Sequence, residues 1–215
     1  MKIGVFDSGV GGLSVVNKIK EELPEYEVIF INDVDNMPYG DKTKEELLEL
    51  VLPKLNLLTE SKCDVIVIAC NTVTTTIVNK LRELINVPIV AVEPMIKPAS
   101  QITRTGVITV CATPTTLKSD RYLQLKSLFA KKIAIIEPDC SGWSSMIENN
   151  QVNRNEINKV VCDSNNHNSD TIVLACTHYH WIEDLIDELS GDNVTVLQPE
   201  QPLINQLKRV IEQLS

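Results

Sequence analysis

Two cysteines, Cys70 and Cys176, occupy matching positions in two segments that resemble each other. The first segment reads DVIVIACNT (64–72) and the second DTIVLACTH (170–178), so each is an apolar run that ends in Ala-Cys and two polar residues. A reaction that removes a proton from one face of a carbon and returns one to the other face needs two similar acid/base groups. Two matched thiols, one from each copy of a duplicated unit, could supply that chemistry.

Weaker echoes of these segments extend over the rest of the chain. Residues 4–7 resemble residues 106–109 at an offset of 102, and residues 27–31 resemble residues 132–136 at an offset of 105. The two cysteines are 106 residues apart. Internal similarity at a nearly constant offset indicates a duplicated structural unit.

The elements that must position the cysteines alternate along the chain. Short apolar, β-branched runs are typical of parallel strands covered on both faces, and helical patterns lie between them, which predicts an α/β fold with parallel sheets. Strands are predicted at 2–7, 27–32, 64–69, 88–93, 105–110, 132–137, 170–175 and 193–197. Helices are predicted at 12–22, 42–60, 72–85, 115–129, 154–162, 179–189 and 200–214.

Three local signals refine this pattern. The eight strands divide into four and four, with the proline-containing stretch 93–98 at the join. Pro53 predicts a break or kink in the long second helix. The polar stretch 163–170 predicts an exposed loop.

Composition excludes several classes of function. The 215 residues carry a formal net charge of −9 without a basic stripe, which argues against a nucleic-acid partner. No apolar run approaches the ~18 residues that span a bilayer, and the N-terminal segment reads as a strand, so we expect a cytoplasmic protein without a membrane partner. In a reducing compartment the six cysteines are expected to be free thiols. No Cys-x-x-Cys pair occurs, so no metal site is expected.

The carboxyl ends of the predicted strands, where parallel sheets bind ligands, gather most of the unusual polar residues. Cys70 and Cys176 each precede a helix, whose N-terminus stabilises a thiolate. A single cysteine in such a place is more often a small buried hydrophobe, but two in equivalent places favour catalysis. His178 could orient or protonate Cys176, and Asp7 is the corresponding candidate beside Cys70. A plain helix cap is the alternative for His178, and the other four cysteines are interpreted as structural.

Other polar positions have both a structural and a functional interpretation. The turn at residues 7–12 contains three glycines, which allow close backbone approach to an anion or simply join a strand to a helix. The spacing G-x-G-x-x-G is absent, so a dinucleotide cofactor is not expected. Several hydroxyl and amide side chains act by default as helix caps, but would hold a carboxylate and an ammonium if they met in one cleft. These side chains are Asn71, Thr72, Thr113, Thr116 and Thr177.

Five motifs in order carry a resemblance to a known family. They are FDSGVGGLSV (6–15), MPYGDKT (37–43), ACNT (69–72), ATPTTLKS (112–119) and ACTHY (175–179). On these motifs the chain resembles the glutamate racemases of the aspartate/glutamate racemase superfamily, which make D-glutamate for peptidoglycan without a cofactor. The motifs span most of the chain.

The resemblance implies two flavodoxin-like lobes with parallel sheets, related by pseudo-twofold symmetry, with the active site between them. Residues 1–93 and 199–215 would form the first lobe, and residues 94–198 the second. A small amino acid would be the substrate, and no cofactor would be required.

The resemblance also implies roles for particular residues. Cys70 and Cys176 would be the two acid/base thiols, with Asp7 and His178 as their auxiliaries and Glu148 near the second thiol. The substrate contacts would be Asp7, Ser8, Tyr39, Gly40, Asn71, Thr72, Thr113, Thr116, Thr177 and His178.

Departures from the family pattern leave alternatives open. An arginine that the family usually carries before Pro-Tyr-Gly is missing from residues 32–36, and Trp143 lies in an altered stretch of the second lobe. These changes motivate a second hypothesis, racemisation or epimerisation of another amino acid such as aspartate. The chain also ends earlier than a typical member, which motivates a third hypothesis, a non-catalytic binding protein on the racemase scaffold. A homodimer is left open as well.

Overall fold

The computed structural model describes residues 1–214 as two parallel four-stranded sheets with the same strand order. The first sheet contains β1 (Lys2–Asp7), β2 (Glu27–Asn32), β3 (Val65–Ile68) and β4 (Ile89–Ala91), in the order β2-β1-β3-β4. The second sheet contains β5 (Val107–Ala112), β6 (Ala134–Ile136), β7 (Thr171–Ala175) and β8 (Thr195–Leu197), in the order β6-β5-β7-β8. The predicted α/β fold of two lobes with parallel sheets is confirmed.

The described chain contains ten α-helices, nine of them between strands and the tenth after the last strand. They are α1 (Leu13–Glu22), α2 (Lys44–Glu60), α3 (Asn71–Leu84), α4 (Ile96–Ile102), α5 (Pro114–Lys118), α6 (Asp120–Phe129), α7 (Trp143–Glu148), α8 (Arg154–Asn166), α9 (Glu183–Ser190) and α10 (Glu200–Leu214). Short 3-10 turns cover Val10–Gly12, Val34–Asn36, Tyr39–Asp41 and Thr177–Ile182. Within residues 1–214, none of the helices has the length and apolar character needed to cross a bilayer.

Each sheet is buried between two layers of helices, which explains the nearly continuous apolar strands. In the first sheet, α1 and α10 cover one face, and α2 and α3 cover the other. In the second sheet, α4 and α6 cover one face, and α7, α8 and α9 cover the other. Leu203, Ile204, Leu207 and Ile211 of α10 pack in the first core, so the C-terminal helix lies against the first sheet. Ser215, the last residue assigned to the first lobe, lies outside the described residues.

The strand registers correct the offset of the duplication. Ile3 pairs with Val65 in the first sheet, and Ile108 pairs with Thr171 in the second. Equivalent residues are therefore 105 apart in β1 and β5 and 106 apart in β3 and β7. The cysteine echo has the correct register, whereas the other two echoes are wrong by two or three residues. Apolar runs of similar composition align equally well at several registers, so composition alone does not select one.

Three helix predictions differ from the structure at identifiable residues. The predicted helix 115–129 is two helices, because Ser119 has an extended backbone and its hydroxyl accepts an N–H from the first turn of α6. The helix α2 is not broken at Pro53, because this proline lies on the exposed face, where water can satisfy the unpaired carbonyl. The loop prediction for 163–170 is wrong in its first part, since α8 continues to Asn166.

Two short helices, α4 and α7, were not predicted. Each spans only six or seven residues, which is too short to show an amphipathic repeat. The helix predicted at 179–189 begins instead as 3-10 turns and becomes α-helical at Glu183. The unpredicted helix α7 affects the site, because its residue Ser144 contacts the second thiol.

Candidate active site

Both thiols lie where a strand ends and a helix begins. Cys70 follows β3 and is the N-cap residue of α3, and Cys176 follows β7 and precedes the 3-10 turns at Thr177–Ile182. Both cysteines are buried and line one cavity to which both lobes contribute. The cavity measures about 30 Å³, which holds about two water molecules. The lobes are therefore closed around the thiols.

The first thiol lies in a setting that favours its neutral form. Ser8 Oγ is 3.5 Å from Cys70 Sγ, and the backbone N–H of Val73 also donates to the sulfur. Burial and the nearby Asp7 carboxylate nevertheless raise the pKa of Cys70 to about 12. Cys70 is therefore held as a thiol.

Asp7 connects the glycine-rich turn of the first lobe to the second lobe. Its carboxylate accepts the N–H groups of Gly9 and Gly12 at 3.2 and 2.9 Å, and the hydroxyl of Thr177 at 3.2 Å. Burial raises the pKa of Asp7, although these donors and the charge of His178 oppose the shift. The carboxylate thus joins the ends of β1 and β7.

The glycines of this turn are required by close approach. A Cβ added to Gly12 would lie 2.4 Å from the Asp7 Cβ, and one added to Gly11 would lie 2.7 Å from the backbone nitrogen of His178. Both distances are far shorter than a carbon contact permits. The absence of side chains at Gly11 and Gly12 therefore lets the turn approach Asp7 and the second lobe closely.

The second thiol lies among donors and a cation. Ser144 Oγ and His178 Nδ1 are 3.5 and 3.9 Å from Cys176 Sγ. His178 Nε2 is 2.6 Å from Glu148 Oε2. Burial alone would lower the pKa of His178, but Cys176, Asp7 and Glu148 raise it to about 9. At neutral pH an imidazolium therefore lies beside Cys176.

Asn71 is a buried polar side chain of the cavity without a hydrogen-bond partner. It is 2% exposed, and both Nδ2 and Oδ1 are unpaired. A buried amide without partners costs free energy unless a ligand or water completes its hydrogen bonds. Asn71 is thus available to the carboxylate or the ammonium of a substrate.

The threonines of the site join the two lobes. The hydroxyl of Thr72 is 3.0 Å from that of Thr113, which donates to Thr116 at 3.0 Å. Thr116 is fully buried and lies behind the cavity wall rather than on it. Thr115 donates to the carbonyl of Gly40, so the 3-10 turn at Tyr39–Asp41 is also tied to the second lobe.

Tyr39 lines the cavity, but its hydroxyl is already engaged. It donates to Asp33 Oδ2 at 2.7 Å, and burial together with this carboxylate raises the pKa of Tyr39. Burial tends to raise the pKa of Asp33, yet donors from Tyr39, Asn36 and Lys54 lower it overall. The Tyr39–Gly40 segment therefore contributes its ring and backbone to the cavity.

Six lining residues were not predicted as site residues, namely Met37, Pro38, Asp41, Pro114, Ser141 and Ser144. The two serines lie in the altered stretch that includes Trp143, and Ser144 is in the first turn of α7. The sequence carried one usable signal, the departure from the family pattern at this stretch. It did not indicate which side chain would face the thiol.

Two larger grooves, of about 650 and 540 Å³, contain neither thiol. Charged side chains along them form pairs such as Arg121 with Glu93 at 2.6 Å and Lys80 with Glu83 at 2.8 Å. The small cavity, in contrast, is lined by Cys70 and His178, and the pKa values of both are raised, that of Cys70 mainly by burial and that of His178 by its neighbours. The candidate active site is therefore the small cavity.

The duplicated α/β fold, with two thiols lining one cavity, is that of an amino-acid racemase. The chain matches the Asp/Glu/Hydantoin racemase family over residues 3–207 and belongs to this family. It is 36% identical to the glutamate racemase of Herpetosiphon aurantiacus, covering 97% of this chain and 84% of that protein. It is also 36% identical to the glutamate racemase of Pseudomonas aeruginosa, covering 97% and 81%.

Solved structures agree with the sequence comparison. Escherichia coli glutamate racemase, in complex with L-glutamate and the activator UDP-MurNAc-ala, superposes with a TM-score of 0.91 at 28% identity. The match covers 98% of this chain and 82% of that chain. Picrophilus torridus aspartate racemase gives a TM-score of 0.71 at 18% identity over 97% and 93% of the two chains, which shows a shared fold alone.

Proposed function

We propose that this chain interconverts L- and D-glutamate without a cofactor, with Cys70 and Cys176 as its two acid/base groups. The observation that carries the proposal is the pair of thiols at equivalent strand ends, lining one cavity in opposite electrostatic surroundings. Similarity to glutamate racemases over nearly the whole chain supports glutamate as the substrate. D-Glutamate made in the cytoplasm would supply peptidoglycan synthesis.

The two environments give each thiol a starting role. Cys176 begins as a thiolate beside the His178 imidazolium and removes the Cα proton from one face of the substrate. The C–H electron pair stays on Cα and spreads into the adjacent carboxylate. Cys70 then gives its proton to the opposite face, so that Cys176 ends as a thiol and Cys70 as a thiolate. The reverse reaction starts from that state, so each enantiomer meets its own base.

The carbanion next to a carboxylate is the costly species, and donors around the cavity would stabilise it. Asn71 and Thr72 lie at the N-terminus of α3, where free N–H groups and the helix dipole favour an anion. The unpaired amide of Asn71 supports its assignment as a substrate contact. Ser8, the Tyr39–Gly40 backbone and Thr113 would complete the enclosure.

The closed cavity bears on how the substrate enters. A space of about 30 Å³ is smaller than an amino acid, so the lobes would separate to admit glutamate and close again to exclude water.

Turnover in D₂O tests the proposal. Incubation with L-glutamate is expected to yield D-glutamate that carries deuterium at Cα, measured by chiral chromatography and mass spectrometry. Aspartate and other amino acids are assayed in parallel. Turnover of aspartate without turnover of glutamate would identify aspartate as the substrate. If no amino acid gave either product or deuterium exchange at Cα, racemisation would be rejected. A binding protein on this scaffold would then be favoured.

A further inference from the structure

The second thiol, Cys176, contacts the hydroxyl of Ser144 on α7. The first thiol contacts a serine from a different part of the duplicated unit. Ser144 Oγ lies 3.5 Å from Cys176 Sγ, closer than the imidazole of His178 at 3.9 Å. Both Ser144 and Cys176 are 8% exposed, and both line the cavity. The contact is therefore buried, beside the space that a substrate would occupy.

The first thiol has a matching contact from a different source. Ser8 Oγ lies 3.5 Å from Cys70 Sγ, and Ser8 follows β1 directly. In the second sheet Ala112 pairs with Ala175, so the position equivalent to Ser8 is Thr113. The Thr113 hydroxyl is engaged with Thr72 and Thr116 instead. Ser144 on α7 thus replaces a hydroxyl that the second copy uses elsewhere.

A hydroxyl suits a thiol that must change its protonation state. It donates to the sulfur of a thiolate and accepts from a thiol, so it can stabilise both ends of the proton transfer. We infer that Ser144 is a catalytic residue that stabilises the Cys176 thiolate by donating a hydrogen bond to the reacting sulfur. This inference rests on the proposed two-thiol function.

Other titratable groups also act on Cys176 and must be separated from Ser144. They are His178 on the same loop, Cys70 across the cavity, and Tyr179 and Cys140 in the surrounding core. Ser144→Ala leaves His178, Cys70 and Cys140 unchanged. It also removes the hydrogen bond between Ser144 and Tyr179. The effect on the pH profile then reports the hydroxyl.

The primary test compares Ser144→Ala with Ser145→Ala. Ser145 is the exposed neighbour on the same helix and does not line the cavity. We expect Ser144→Ala to lower kcat/KM for glutamate about tenfold and to move the acidic limb of its pH profile to higher pH, because the thiolate loses a donor. Ser145→Ala is expected to match the wild type. An unchanged acidic limb in Ser144→Ala would overturn the inference.

A second pair of variants separates the hydroxyl from the shape of the side chain. Ser144→Thr and Ser144→Val have the same shape and differ only in the hydroxyl. We expect the threonine variant to retain about ten times the kcat/KM of the valine variant, with equal thermal unfolding midpoints. Equal losses in both would show that packing alone matters and would overturn the inference. An inactive wild type would instead reject the proposed function.

Discussion

The two thiol environments share their placement but differ in charge. Cys70 and Cys176 occupy equivalent strand ends, and each has a serine hydroxyl at 3.5 Å. The charged neighbour is the carboxylate of Asp7 on one side and the imidazolium of His178 on the other. A two-base racemase needs one proton shared between two thiols. The duplicated fold places the sulfurs, and in the proposed mechanism the unlike neighbours would decide which sulfur holds that proton.

Replacement of either site cysteine is expected to have the largest effect on activity. Cys70→Ser and Cys176→Ser should each lower kcat for glutamate racemisation by at least about 1,000-fold, because a hydroxyl is a far weaker acid than a thiol. Chiral chromatography of the product measures the loss. Cys162→Ser, at an exposed cysteine, is the matched control and should retain activity. Substantial activity in either site variant would disprove the two-thiol mechanism.

Replacement of the cation tests the charge difference itself. His178→Asn should lower kcat about 100-fold, because no imidazolium remains beside Cys176. His178 carries its charge below about pH 9 and loses it above, so wild-type activity should fall as the pH rises through about 9. That decline should be absent from the variant.

The pH profile of His178→Asn needs two comparisons. The substrate ammonium titrates equally in both proteins, so the difference between the two profiles reports His178. His167→Asn, at an exposed histidine, is the matched control and should leave the profile unchanged. If His178→Asn retained the full alkaline decline, the imidazolium would not be the group that sets it.

The placement of the thiols could be predicted from the sequence, whereas their neighbours mostly could not. The apolar runs before Cys70 and Cys176 define buried strands, and polar residues after a strand lie at one edge of a parallel sheet. Asp7 and His178 follow from the same rule, since each lies at or just after a strand end. Ser144 does not, because it depends on a six-residue helix without a periodic signal.

Contacts between the lobes also could not be predicted from the sequence. The approach of Gly11 to His178 and the bond from Thr177 to Asp7 depend on how two separately folded sheets meet. Local patterns describe each lobe but carry no information about their relative orientation. The sequence of the glycine-rich turn therefore predicts an anion loop or a connection, and the contact between the lobes is visible only in the structure.

Replacement of the Asp7 carboxylate by an amide tests how its charge affects the first thiol, Cys70. Asp7→Asn should lower kcat/KM about 30-fold, because an amide cannot accept the three donors that Asp7 holds. It should also lower the pKa of Cys70 from about 12, because the carboxylate charge is one of the causes that raise it. Alkylation of Cys70 by iodoacetamide at pH 8, followed by peptide mass spectrometry, should therefore become faster. Asp35→Asn, at an exposed aspartate, is the control, and unchanged alkylation of Cys70 would contradict this electrostatic account.

The smallest change removes one charge at a distance from the sulfur. Glu148→Gln keeps an acceptor for His178 Nε2 but loses the anion 2.6 Å away, so the pKa of His178 should fall below about 9. The alkaline limb of kcat should then move to lower pH, with a loss of about fivefold at pH 8. The effect is smaller than that of His178→Asn because Cys176 and Asp7 still raise the pKa of His178. Glu49→Gln, at an exposed position of α2, should leave the limb in place. An equal shift in both variants would mean that the bulk charge, and not the contact with His178, sets the profile.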